Sequence, residues 1–316
     1  MSEQENRPIL EVRDLCMDFT GTGRKKEKVH AVDHVSFTVK KGETFGLVGE
    51  SGCGKTTTGR CIIRLYQPTS GEIYYDGQPI HGKLTGDKRK YITDHIAMVF
   101  QDPIASLNPR MTVQEIIGEG LKLRGVKDKE ERHKVVEKLL VRVGLTPEHA
   151  TRYPHEFSGG QRQRIGIARA LAVEPGLIIA DEPVSALDVS VQAQVINLLN
   201  ELKEELGLTI LFIAHNLSVV KYFSDRIGVM YFGKLLEVAD AGQLFLHPAH
   251  PYTKALLSAA PQPDPYLERK RQKISYDPAM HQYGPGNEPS YHTIEEGHII
   301  YCSDREWEEL MKSREQ

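Results

Sequence analysis

The chain has 316 residues, 40% of them hydrophobic and 26% charged, with a formal net charge of −3. That length accommodates one large core with one or two appendages, and the near-neutral charge gives no reason to expect a nucleic-acid-binding surface. The longest apolar runs, 208–214 and 177–180, are too short to cross a bilayer and residues 1–8 are polar, so a soluble cytosolic protein is expected.

Residues 9–82 alternate as strands do, with runs at Leu10-Glu11-Val12-Arg13, at Val35-Ser36-Phe37-Thr38-Val39 and at 71–77, the last meeting an Asp76-Gly77 turn. Within this stretch, 21–28 is basic and glycine-rich and predicts an exposed loop. Thr44-Phe45-Gly46-Leu47-Val48 predicts a short buried strand and 57–65 a helix. Between them, Gly49-Glu50-Ser51-Gly52-Cys53-Gly54-Lys55-Thr56 fits G-x-x-x-x-G-K-[ST], a loop whose backbone N–H groups wrap the phosphates of a nucleotide. The motif needs that strand–loop–helix context, because the helix N-terminus supplies free N–H donors and a positive dipole end. The chain is therefore expected to bind a nucleoside triphosphate. Cys53 lies beside Lys55 and a helix N-terminus, both of which favour a thiolate; a buried, inert loop cysteine is the alternative.

Further along, the apolar run 96–100 ends at Gln101, and from 113 to 143 the pattern turns helical, with Val135, Val136, Leu139, Leu140 and Val143 on one face. Phe157-Ser158-Gly159-Gly160-Gln161 opens a helical run, 162–171, and is a second helix N-terminus able to take a phosphate. Leu177-Ile178-Ile179-Ala180 predicts a buried strand with Asp181 and Glu182 at its carboxyl end, where open α/β sheets bind ligands. A triphosphatase needs a magnesium ligand and a group that orients water, and Asp181 (with the Thr56 hydroxyl) and Glu182 suit those tasks. Ser185-Ala186-Leu187-Asp188, a helix over 191–206, a buried strand over 209–214 and then His215 follow. Alternating apolar strands and helices predict an α/β fold with a helical insertion at about 102–172. From Pro248 onward prolines recur, and only 252–259 and 304–312 predict helix, so this part reads as an appendage. The four cysteines, Cys16, Cys53, Cys61 and Cys302, lack C-x-x-C spacing and suggest neither disulfides nor zinc.

Taken together, Gly49 to Thr56, Gln101, Ser158 to Gln161, Asp181 with Glu182, Ser185 to Asp188 and His215 resemble the Walker A, Q-loop, signature, Walker B, D-loop and H-loop of the ATP-binding subunits of ABC transporters, over 9–246. The resemblance implies a P-loop, RecA-like core with an antiparallel β subdomain and a helical subdomain, occupying 8–246, with ATP and Mg²⁺ as cofactors. It implies head-to-tail pairing of two cassettes, so that Ser158, Gly159, Gly160 and Gln161 serve the partner's nucleotide. Lys55 would neutralise the β- and γ-phosphates, and Gly49 through Thr57 would cradle them. Thr56, Asp181 and Gln101 would hold the metal. Glu182, His215 and Gln101 would be catalytic, and Asp188 would bridge to the partner. Phe19 would stack on adenine, a core aromatic being the alternative.

The phrases at 100–111, 153–161 and 247–257 resemble the oligopeptide and dipeptide permeases, and those at 64–71 and 183–188 the F-type subunit of that group. This implies a D-type cassette as heterodimer partner, two integral membrane permease subunits, an extracytoplasmic peptide-binding protein and a place on the cytoplasmic face of the membrane. Nickel and glycoside importers share the tail, and a soluble ABC ATPase outside transport is a further alternative. His247 and His250 precede prolines and a short helix, so capping or surface roles are expected rather than metal binding. The extension, 247–316, often carries four cysteines able to hold an iron–sulfur cluster; here Cys302 stands alone in the closing segment 297–302. A metal-free structural tail is expected, ordered by Tyr252, Leu256, Leu257, Ile299, Ile300 and Trp307.

Overall fold

The computed structural model describes residues 7–21, 27–260 and 272–314. Residues 22–26 of the expected basic loop, the N-terminal residues 1–6 and the tail prolines at 261, 263 and 265 lie outside the described residues.

The chain starts with two long strands, β1 (Pro8–Thr20) and β2 (Lys28–Lys40), paired antiparallel. The short strand β3 (Thr44–Val48) is buried at every residue and leads into α1 (Lys55–Ile62). Then come β4 (Ser70–Tyr75) and β5 (Gln78–Pro79), joined by Asp76 and Gly77, both at positive φ (47° and 71°), as a tight hairpin turn requires. A helix that the sequence analysis did not assign, α2 (Gly86–His95), is capped by Thr85 and precedes β6 (Ile96–Val99).

The expected helical insertion consists of α3 (Pro103–Ser106), α4 (Val113–Leu123), α5 (Lys129–Arg142) and α6 (Gly159–Leu171). Val136, Leu139 and Leu140 are the buried face of α5, as their spacing predicts. The core resumes with β7 (Leu177–Asp181), α7 (Val189–Leu206), β8 (Thr209–Ala214), α8 (Leu217–Phe223), β9 (Arg226–Tyr231), β10 (Lys234–Asp240) and α9 (Ala241–Leu246). The tail supplies α10 (Pro251–Ala259), β11 (Ser290–Glu295), β12 (His298–Cys302) and α11 (Asp304–Arg314).

Among the described residues the strands form a four-stranded sheet, ordered β2-β1-β4-β5, and an eight-stranded sheet, ordered β11-β12-β10-β9-β3-β8-β7-β6. The second sheet is parallel across β9-β3-β8-β7-β6. Its parallel strands β3, β7 and β8 are buried throughout because one face packs against α1 and the four-stranded sheet and the other against the helices α6, α7 and α8. The tail's two helices are where the sequence places them, but β11 and β12 correct the reading of the region between them. β12 pairs antiparallel with β10, Glu237 opposite Ile300 and Val238 opposite Ile299, so the tail continues the main sheet and covers what would be an open edge at β10.

Candidate nucleotide site

The phosphate loop runs from the end of β3 into α1. Two of its glycines are required by crowding. At Gly49 (φ 152°) a Cβ would lie 2.1 Å from the Met230 carbonyl oxygen, and at Gly54 (φ 105°) it would lie 2.1 Å from that of Ala31. Gly54 precedes α1 without a side-chain cap, so the first-turn N–H groups of Lys55, Thr56 and Thr57 meet no capping oxygen. Those free donors and the dipole end make an anion site. Lys55 is buried, and its Nζ is held 2.8 Å from the carbonyl oxygens of both Gly49 and Glu50.

At the carboxyl ends of β7 and β8, the acidic and polar residues converge. Thr56 Oγ1 donates to Asp181 Oδ1 at 2.7 Å, while Asp181 Oδ2 is buried without a hydrogen-bond partner. Burial pushes the Asp181 carboxyl above the usual carboxylate range, against the opposing Thr56 hydroxyl. A hydroxyl and an orphaned carboxylate oxygen side by side are hard oxygen donors that fit Mg²⁺. Glu182 has φ 44°, a conformation uncommon for a residue with a side chain. Its Oε2 accepts from Gln101 Nε2 at 2.9 Å and lies 3.1 Å from His215 Nδ1. Thus Gln101, Glu182 and His215, from three different strand ends, meet on one carboxylate oxygen.

The signature residues lie on the helical insertion. Ser158 and Gln161 cap α6 reciprocally, with Ser158 Oγ accepting from the Gln161 N–H and Gln161 Oε1 accepting from the Ser158 N–H. Ser158 and Gly159 are exposed, and a Cβ on Gly160 would lie 2.5 Å from Val191 Cγ1 on α7. Asp188 is exposed at the start of α7, and its side chain does not cap the helix. Ser51 and Gly52 are exposed at the tip of the phosphate loop.

Phe19 is 38% exposed and meets Tyr66 edge-on, ring centroids 5.5 Å apart, so it belongs to a surface aromatic pair rather than to the core. The thiolate expected at Cys53 is corrected. Its side chain is 5% exposed, and burial raises the thiol above its ordinary range, outweighing the nearby Lys55. His250 is a capping residue as expected, its Nδ1 accepting from the Tyr252 N–H at 3.0 Å, but it is buried and not on the surface.

Sequence reasoning gave no place to Tyr66, beside Phe19, and expected Tyr252 only to pack within the tail. The Tyr252 hydroxyl accepts from the Glu50 N–H of the phosphate loop at 3.3 Å across 202 residues. No local pattern signals a contact of that separation.

Residues 32–185 match the ABC transporter family model, and 236–291 match the model of the oligopeptide/dipeptide transporter C-terminal region. The chain is 57% identical over 300 residues to the oligopeptide transport ATP-binding protein OppF of Bacillus subtilis, covering 95% of this chain and 97% of that one. It is 54% identical to AmiF of Streptococcus pneumoniae, also an oligopeptide transport ATP-binding protein, over 94% of this chain and 96% of the relative. Among solved structures it resembles the dimeric post-hydrolysis state of the ATP-binding cassette MJ0796 bound to ADP and Pi, with TM-score 0.67 and 32% identity, covering 73% of this chain and 98% of that one. It also resembles cbiO1 of Clostridium perfringens, part of the cbiONQ transporter complex, with TM-score 0.66 and 26% identity, covering 83% of this chain and 98% of that one. The chain therefore belongs to the ATP-binding subunits of ABC transporters, in the branch that carries the oligopeptide/dipeptide transporter C-terminal region.

Proposed function

We propose that this chain is an ATP-hydrolysing subunit of an importer for oligopeptides or dipeptides, with 8–246 as its ABC cassette and 247–316 as its C-terminal extension. The observation that carries the catalytic reading is the convergence of Gln101 and His215 on Glu182 Oε2 beside the Thr56–Asp181 pair. Lys55 and the N–H groups of the phosphate loop bind the β- and γ-phosphates. Thr56 and Asp181, with Gln101 nearby, are the residues that would hold Mg²⁺, which would supply positive charge to offset that of the phosphates. Glu182 orients and polarises the attacking water, and His215 and Gln101 fix the direction of its carboxylate. Phe19 stacks on the adenine. Ser158 to Gln161 and Asp188 face a second cassette.

The chain works with membrane permease subunits. None of the helices among the described residues is long and apolar enough to cross a membrane. Its finer setting is part of the proposal: a D-type cassette as heterodimer partner, two permease subunits, an extracytoplasmic peptide-binding protein, and docking at the cytoplasmic face. Peptide is preferred to nickel or another small solute because both relatives described above carry the name of oligopeptide transport.

Reconstitution of the cassette pair with the permease subunits and the binding protein in vesicles tests this. Peptide should stimulate hydrolysis and enter the vesicles, while the isolated chain binds ATP and hydrolyses it slowly. Glu182→Gln should retain ATP affinity and lose hydrolysis by orders of magnitude, because water orientation matters in the transition state. Near-parental turnover of Glu182→Gln, or full activity from a dilute monomer, would contradict the proposal.

A further inference from the structure

The tail is bonded to the phosphate loop through one side chain whose own position is fixed by a buried carboxylate. Glu237, on β10 and 1% exposed, accepts from the N–H groups of Ala249 and His250 at 2.8 and 2.9 Å, and its Oε1 lies 2.8 Å from His298 Nε2. Those bonds hold the segment just before α10, and His250 Nδ1 then caps the helix at the Tyr252 N–H. Tyr252, 2% exposed, follows in the first turn of that helix. Its ring lies 4.4 Å from that of Tyr231 and 5.2 Å from that of Tyr276, and its hydroxyl accepts from the Glu50 N–H at 3.3 Å.

That N–H belongs to the same peptide unit as the Gly49 carbonyl, which accepts from Lys55 Nζ on its other side. A peptide unit is planar, so a bond that fixes the N–H also fixes the direction of the C=O. The plane can take this orientation because Gly49 has φ 152° and no Cβ to strike Met230. A second tie runs from the turn after Tyr231, where the Gly233 N–H donates to the Cys53 carbonyl at 2.9 Å.

We propose that Tyr252 is a positioning residue for ATP binding: through the Gly49–Glu50 peptide it sets where Lys55 is held, and this is a task of the C-terminal extension. The inference rests on the reading of Lys55 as the phosphate-binding lysine. Tyr252 touches no reacting atom, so its effect falls on nucleotide affinity and not on the chemical step.

Titration of the full chain with a fluorescent ATP analogue, together with steady-state hydrolysis by the reconstituted complex, tests it. Tyr252→Phe keeps the ring and removes the hydroxyl. It should weaken nucleotide binding and raise the KM for ATP by about three- to ten-fold, the effect of one neutral hydrogen bond, with kcat within about two-fold and Tm lowered by no more than about 3 °C. Tyr276→Phe removes a hydroxyl from the same aromatic cluster, one bonded to His281 Nε2 at 3.0 Å, and should leave KM parental. Parental KM and affinity in Tyr252→Phe overturn the inference, as does an equal rise in both variants. In the parent chain the backbone amide of Glu50 should exchange hydrogen slowly, and fast exchange there also overturns it, whatever the variants do. Lys55→Ala separates the two readings. If it binds nucleotide like the parent, the phosphate-loop assignment itself is wrong; if it loses binding while Tyr252→Phe does not, only the positioning role fails.

Discussion

Thr56 and Asp181 meet at 2.7 Å across 125 residues of sequence, and the bond occupies only one of the two Asp181 oxygens. The other is buried and unpartnered, which is costly in the absence of a cation. The site therefore carries a local instability that a bound metal would relieve.

Asp181→Asn keeps the shape and the oxygen that accepts from Thr56 but removes the charge. Because the folded carboxyl titrates above its ordinary range, the folded state holds its proton more tightly than the unfolded chain, and ionisation at neutral pH costs stability. The variant should melt higher than the parent in chelator, by about 2 °C per kcal/mol recovered, and lose Mg²⁺-dependent hydrolysis by two orders of magnitude or more. A lower Tm in chelator would refute the assignment of a destabilising charge.

A second prediction concerns acid. His250 is 1% exposed, and burial lowers its pKa from 6.5 to about 4, helped by His281 and Lys254 and opposed by Glu237 and Glu306. The unfolded chain therefore takes up the proton first as pH falls. Stability present above pH 6.5 is lost progressively toward pH 4, by about 3 kcal/mol at most. His250→Asn retains a capping oxygen for the Tyr252 N–H and has nothing to protonate. Urea unfolding from pH 7.5 to 4.5 should show a shallower loss in the variant; identical slopes would rule out His250 as the source.

Cysteine labelling should follow burial rather than proximity to the phosphate site. Cys53 is buried with its thiol raised, and Cys61 is pushed up to about 12, whereas Cys16 is half-buried. Iodoacetamide at neutral pH should modify Cys16 first and reach Cys53 only as the chain opens. Rapid modification of Cys53 that MgATP blocks would restore the thiolate reading.

The phosphate loop and both carboxylates could be read from sequence because each lies next to a short buried strand whose end fixes its place. The strand–loop–helix order around Lys55 and the apolar run before Asp181 are local facts. The tail could not be read in this way. β12 has two apolar residues, Ile299 and Ile300, between His298 and Tyr301, and its partner β10 lies across the whole C-terminal segment. His298 and Glu237 are 61 residues apart, both with fully buried side chains, and a histidine beside a turn glycine gives no sign of such a partner. A still larger separation, 202 residues, hid the contact of Tyr252 with Glu50. Its place in the tail suggested packing, whereas its hydroxyl reaches the loop that defines the site.

The last prediction concerns what the tail holds. A four-iron cluster needs several thiolates converging on one point. Cys302 is 3% exposed, and burial together with Glu306 and Asp304 pushes its thiol up to about 12, the reverse of what metal ligation favours. Cys302 packs instead with Ala249 and Ile300, against Ile294, Trp307 and Leu310. Among the described residues the group of side chains close enough to share a metal is Cys16, Asp33 and His34, which lies on β1 and β2 and not in the tail. Protein purified without oxygen should be colourless and free of stoichiometric iron, and Cys302→Ala should lower Tm through lost packing without changing absorbance near 400 nm. A brown preparation with about four irons per chain would overturn this view of the tail.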